Sequence, residues 1–313
     1  MLNQEAGRMK RAVWLLTAVV GVVILTGCGG GGGGGVAGPA NAGTILYLLE
    51  GQDGFEVRMI APDGSNDELV DLSMLGNTSL ASISPDGRYL VFNNSSGIES
   101  TFSSELWVRN LEDNGQRRVF VSSTLHAEYC SVSHDSSRIV FTALEIHWSQ
   151  PNGPRELYAV NIDGTGLRKL TSGSSGMGMF WPSFSPDGTR IMCEYNGVIV
   201  IMNSDGSGAV TLRPGHQPNY SPDGAEIVFE VSGLITICNV DGSNFRQLPG
   251  VTGDSWADCP CFSPDGTQIA FSSYSDADRI WQIYIVDSDG GNLRKLTSVL
   301  GPGDVEDCSW GGT

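Results

Sequence analysis

Histidine is scarce in this chain: four in 313 residues. His126, His134, His147 and His216 offer no His-x-x-x-His spacing, which excludes a helical zinc motif built on that pattern. Basic side chains are also few, 18 Lys and Arg against 35 Asp and Glu, for a formal net charge of -17. Neutralising phosphates needs a basic surface, so nucleic acid is excluded as a partner. None of the seven cysteines forms a Cys-x-x-Cys pair. Cys259 and Cys261 are one residue apart, which suits neither a zinc knuckle nor a thioredoxin-like redox pair. Long apolar runs are missing too. The run over residues 12–26 holds 15 residues, short of the ~20 an ordinary membrane helix needs.

That run is instead read as part of an export signal. Arg8, Lys10 and Arg11 form a basic region before it, and it ends in Leu25-Thr26-Gly27-Cys28. The ending resembles a bacterial lipobox, which implies cleavage before Cys28 and diacylation of its thiol, with Met9 as an alternative start. Cleavage leaves 15 basic and 34 acidic side chains, a net charge of -19. Such acidity suits an extracytoplasmic domain, and also a basic partner or a divalent cation. Gly29 to Gly35 is unbroken glycine and opens a flexible tether that runs to Gly43. The division expected is a signal over 1–27, lipidated Cys28 and tether over 28–43, and one folded domain over 44–313. By the lipoprotein resemblance, glycine after the lipidated cysteine implies the outer membrane in a Gram-negative cell.

What the rest of the chain has in abundance is a repeated turn. Ser84-Pro85-Asp86-Gly87, Ser185-Pro186-Asp187-Gly188, Ser221-Pro222-Asp223-Gly224 and Ser263-Pro264-Asp265-Gly266 are copies, and Ser133-His134-Asp135-Ser136 is a degraded one. They recur at 49, 52, 36 and 42 residues, the range of a propeller blade rich in short strands. Proline presets one turn angle and glycine accepts positive φ at another. Blade four shows the plan, with strands predicted over 181–185, 189–194, 197–203 and 209–212. A second turn, Asn161-Ile162-Asp163-Gly164 and its counterparts at Asp205, Asp241 and Asp289, separates third from fourth strands. Eight residues after the motif serine stand Phe92, Phe141, Phe229 and Phe271, with Cys193 in blade four, and this is the expected core position between blades. Five motifs give five blades. The sixth lacks a first strand at 44–70, and Cys308-Ser309-Trp310-Gly311 supplies a spare one. The fold class is therefore all-β, a six-bladed β-propeller of four-stranded antiparallel blades closed by the C-terminal strand.

The unit Pro-x-Phe-Ser-Pro-Asp-Gly, a strand, Asn-x-Asp-Gly and Arg-x-Leu-Thr resembles the WD-like repeat of TolB-type β-propellers, from Thr44 to Trp310. Similar repeats occur in propellers of prolyl-oligopeptidase-type enzymes and of oligogalacturonate lyases. The resemblance implies a binding platform, and with the lipobox ending the expectation is a non-catalytic protein-binding or scaffold module of the cell envelope, held to the membrane by its lipid and monomeric. TolB itself carries an α/β domain before its propeller, whereas only 29–43 stand between the expected anchor and the first strand here. A peptidase would need a hydrolase domain with a nucleophile elbow, for which there is no room. A lyase would need a histidine-centred metal site, which four scattered histidines do not offer. The alternatives are a polysaccharide-active lyase or hydrolase, or a glycan-binding module, on the same scaffold.

Function is expected where loop length varies. Insertions at 93–104, 143–155 and 272–279 all follow second strands and fall on one face of the ring. That face carries the candidate binding residues Phe102, His147, Trp148, Trp256 and Tyr274, aromatics suited to gripping a protein or a glycan. It also carries a candidate calcium site of Asp254, Asp258, Asp276, Asp278, Asp304 and Glu306, with Asp307 beside them, since calcium takes clustered carboxylate oxygens. Cys261 and Cys308 fall on innermost strands of neighbouring blades, where a disulfide would lock ring closure, with Cys259 as a competing partner.

Overall fold

The computed structural model describes residues 43–312, apart from 52–53, 73–77, 79, 98–100, 148–152, 173–177, 250–255, 276–279 and 299–304. The expected signal, Cys28 and most of the tether lie outside them. Strands β1 (Thr44–Gly51), β2 (Gly54–Ile60) and β3 (Glu68–Leu69) belong to blade one. Blade two is β4 (Ala81–Ile83), β5 (Tyr89–Ser96), β6 (Ser103–Asn110) and β7 (Gln116–Ser122). Blade three is β8 (Leu125–Val132), β9 (Arg138–Glu145), β10 (Arg155–Asn161) and β11 (Arg168–Lys169). Blade four is β12 (Met179–Phe184), β13 (Arg190–Tyr195), β14 (Val198–Asn203) and β15 (Val210–Pro214). Blade five is β16 (His216–Tyr220), β17 (Glu226–Val231), β18 (Leu234–Asn239) and β19 (Arg246–Gln247). Blade six is β20 (Ala257–Phe262), β21 (Gln268–Ser275), β22 (Ile280–Asp287) and β23 (Arg294–Lys295). The last strand, β24 (Val305–Gly311), completes blade one in the order β24-β1-β2-β3. Every pairing is antiparallel, and the six sheets have four strands each. The six first strands, β24, β4, β8, β12, β16 and β20, neighbour one another in a closed ring around the axis.

The repeated turn is held by its own side chains. In all five copies the serine hydroxyl donates to the aspartate at 2.6 Å, from Ser84, Ser133, Ser185, Ser221 and Ser263. The same aspartate accepts a backbone N–H two residues on, such as Thr189 N at 3.0 Å. The serine oxygen in turn accepts the N–H that opens the second strand, such as Arg190 N at 2.9 Å. These bonds favour the ionised carboxylate. The serine hydroxyl first, then the backbone donors, hold Asp187 and Asp223 below the usual carboxylate range, and Asp135 is lowered to about 2. A carboxyl depressed in the fold contributes stability that is present above its unfolded pKa of ~4 and is lost as pH falls through the folded value. The melting temperature should therefore hold between pH 7 and 5 and drop progressively below ~4, down to about 2. A melt at pH 3 equal to that at pH 7 would overturn this.

The repeated core position behaves as its spacing implies. Phe92, Phe141 and Phe229 are wholly buried, Phe271 is 1% exposed and Cys193 is 0% exposed. Burial pushes the Cys193 thiol up to about 12, so it packs as a small apolar group. The sixth equivalent is Tyr47, also wholly buried, whose hydroxyl donates to Asp67 Oδ1 at 2.8 Å. Strand ends differ from expectation by one or two residues: β12 starts at Met179, two residues before Trp181, and β15 runs to Pro214, beyond Leu212. Half of the expected insertion at 93–104 is strand, because β5 and β6 extend their pairing to Ser95↔Ser104 and Ser96↔Ser103. Asn93 and Ser104 are wholly buried there, with Asn93 Nδ2 donating to Ala127 O at 3.3 Å. The closing strand is tied on both sides. It pairs with β1 from Thr44↔Gly311 to Leu49↔Val305, Ser309 Oγ accepts Ile83 N at 3.1 Å, and Gly312 N donates to Pro85 O at 2.9 Å.

Candidate binding face

Turns after first and third strands share one face, and connections after second and fourth strands share the other. On the second face, blades four and five close tightly: Asn196-Gly197 and Ser232-Gly233 are two-residue hairpins with positive φ at both positions. Blades two, three and six carry the longer connections, as the insertions imply.

At this face the first strands share a distortion. Tyr129, Trp181, Gln217 and Cys259 adopt φ of 36°, 47°, 51° and 50°. Each lies four residues before its motif serine. Each marks a break in pairing register, between Glu128 and Cys130, Phe180 and Ser183, His216 and Asn219, and Asp258 and Cys261. The β1–β24 pair breaks at the equivalent place. These are β-bulges, which re-aim side chains at the rim of a sheet. Positive φ in bulky residues is backbone strain, and strain of this kind concentrates at functional sites.

In blades three and four the bulges aim aromatic rings together. The Tyr129 and Trp181 centroids are 4.7 Å apart, Phe180 and Trp181 5.4 Å, and Tyr129 and Phe180 6.0 Å, all three half-buried. Arg155, from β10, lays its guanidinium 5.2 Å from the Phe180 centroid. It also donates through Nε to Glu128 Oε2 at 2.7 Å and through Nη2 to Glu128 Oε1 at 3.2 Å. His126 Nδ1 lies 3.6 Å from the same carboxylate. Burial works against ionising Glu128, yet His126 and the Arg155 charge outweigh it and hold the carboxyl below its ordinary range. One blade further, His216 Nδ1 is 2.8 Å from Glu194 Oε1. Trp181 Nε1 and Glu194 Oε2 are buried with no hydrogen-bond partner among the described residues.

The expected site residues divide into groups. Phe102 joins the cluster just described, its ring 6.0 Å from His126. Trp256 and Tyr274 meet in blade six, where Tyr274 N donates to Trp256 O at 2.9 Å and the Tyr274 ring lies 5.9 Å from Trp281. The Trp256 ring also covers the blade-five hairpin, since a Cβ on Gly233 would stand 3.1 Å from it. His147 is exposed at the rim, 3.4 Å from Glu145 Oε1. Trp148 lies outside the described residues, as do Asp254, Asp276, Asp278 and Asp304. Asp258 is half-buried in β20, and Glu306 lies in β24. Among the described residues no three His, Cys, Asp or Glu side chains converge to hold a metal. Sequence reasoning missed Tyr129, Phe180, Trp181, Glu128 and Arg155 as a group. The signal available was the shared offset of Tyr129 and Trp181 from the motif serine.

Aromatic rings backed by a fixed charge pair form a surface for gripping side chains or flat ligands. Among solved structures the chain is similar to TolB from Acinetobacter baumannii, at 18% identity and a TM-score of 0.67, covering 87% of this chain and 67% of that one. It is similar to a putative TolB from Agrobacterium tumefaciens, at 20% identity and a TM-score of 0.58, covering 82% and 90%. An oligogalacturonate lyase in complex with manganese shares the fold at 14% identity and a TM-score of 0.52, covering 76% of this chain and 73% of that one. No curated protein matches the sequence. The family model for the TolB beta propeller domain matches residues 42–312, and the chain belongs to that family.

Proposed function

We propose that the chain is a non-catalytic binding module of the cell envelope, anchored through Cys28, that holds a protein partner or an extended peptide at the bulged mouth of the ring. The observation that carries this reading is the trio Tyr129, Phe180 and Trp181, half-buried rings set by strained backbone on adjoining first strands. Preorganised aromatics lose little side-chain entropy on contact, which is why such residues dominate binding hot spots. An acidic chain with net charge -17 favours a basic partner. Family membership adds to the reading, because propellers of this kind are scaffolds whose loops carry the function.

The test is crosslinked capture of the tagged, lipidated protein from its own envelope, beside a Trp181→Gly variant. Glycine adopts φ of 47° freely, so this change removes the ring while relieving strain. One dominant partner should be recovered with the parent, and its yield should fall at least about tenfold with the variant, the usual reach of a hot-spot residue. The melting temperature should move little. Equal yields would place the partner elsewhere on the ring. No partner above background, together with turnover of uronic-acid polymers, would replace this reading with the lyase one.

A further inference from the structure

The seam between blades six and one carries two sulfurs side by side. Cys261 Sγ, on β20, and Cys308 Sγ, on β24, stand 3.7 Å apart, both as thiols. Cys261 is 3% exposed and Cys308 half-buried. What Cys259 presents to Cys308 is its backbone carbonyl, which accepts from the Cys308 thiol at 3.1 Å. The close sulfur approach favours Cys261 of the two candidate partners the sequence leaves open. Around the pair, Ile45, Tyr47, Ile283, Val305 and Trp310 pack in one apolar cluster, so the sulfurs are held in place by neighbours from both blades.

We propose that Cys261 and Cys308 are a disulfide site that fastens the closing strand covalently to blade six. β24 is joined to blade one by a strand ladder, whereas it meets blade six through packing and the Cys308 thiol's bond to Cys259 O, so this is the seam where a covalent tie adds most. The oxidant is a disulfide-bearing thiol exchanger such as glutathione disulfide. The more accessible Cys308 thiolate attacks one sulfur of the oxidant, forming a mixed disulfide and releasing one thiol. The Cys261 thiolate then attacks Cys308 Sγ, forming the internal disulfide and releasing the second thiol. Two protein thiols are oxidised and one external disulfide is reduced to two thiols. Bringing the sulfurs to bonding distance needs an approach of under 2 Å, given an S–S bond of ~2.05 Å, and small side-chain rotations supply it. The partners are 47 residues apart, long enough for closure to restrict the unfolded chain substantially.

The experiment equilibrates the full chain with glutathione disulfide, then alkylates it in denaturant before and after reduction. Two cysteines should resist alkylation until reduced, and peptide mapping should join the segments holding Cys261 and Cys308. The melting temperature of the oxidised form should exceed that of the reduced form by about 10 °C. Cys308→Ala should abolish both the protection and the redox dependence. Where that variant folds poorly, the oxidised and reduced forms of the parent carry the comparison. Full alkylation without reduction, a link through Cys259 instead, or a glutathione adduct left on Cys308 would overturn the proposal.

Discussion

Deleting residues 305–313 should leave a chain with no cooperative thermal transition at 25 °C and above, prone to associate through the freed edge of β1. The deletion removes the pairing partners of β1 from Thr44 to Leu49. It also strips Val305, wholly buried, and Trp310, 8% exposed, from a cluster that includes Ile45, Tyr47, Ile60, Ala270 and Ile285. Loss of a buried large side chain costs about 2–5 kcal/mol, and two are lost with a row of backbone hydrogen bonds. The total rivals the whole stability of a typical domain, about 5–15 kcal/mol. The open edge left on β1, the second strand of blade one, is also a template for association. Circular dichroism melts with light scattering would read the result. A cooperative transition within a few degrees of the parent would show that five complete blades suffice.

Arg155→Ala should cost about 3–5 kcal/mol, the expected penalty for stranding a buried charge. The Glu128 side chain is 6% exposed and that of Arg155 17%, and the guanidinium makes two of the carboxylate's contacts. Combining Arg155→Ala with Glu128→Gln should recover most of the loss, because the neutral amide needs no counter-charge. The pH dependence separates this from simple loss of packing. In the parent, the depressed Glu128 carboxyl supports folding above its ordinary range and that support fades toward acid. In Arg155→Ala the stranded carboxyl takes up a proton more readily, so the deficit against the parent should shrink as pH falls. Denaturant melts at several pH values would check it. A loss below about 1 kcal/mol at pH 7 would mean the pair behaves as a solvated one.

The architecture was legible because one turn repeats with its chemistry intact. Serine, aspartate and glycine at fixed offsets imply a hairpin wherever they stand, and counting eight residues on reaches the buried Phe92, Phe141, Phe229 and Phe271. Tyr47 escaped because blade one has no serine turn from which to count; its first strand comes from the far end of the chain. The rim residues escaped for another reason. A bulge inserts a residue without a compositional mark when the inserted residue is Trp181 or Tyr129 rather than glycine, so strict alternation assigns these rings to ordinary strand positions. Glu128 and Arg155 meet only through the register of β8 on β9 and β9 on β10, which spacing alone does not supply.

Pairing the earliest ring strand with the latest has a consequence for biogenesis. Blades two to six each draw their four strands from one continuous stretch, and each can assemble as soon as that stretch reaches the compartment where the chain folds. Blade one cannot. β1 to β3 emerge first and must remain an incomplete sheet, with the inner edge of β1 open, until β24 is made. Until the last strand arrives the folding propeller therefore carries an exposed strand edge on β1, the part of the ring expected to need a chaperone most and to become protease-resistant last.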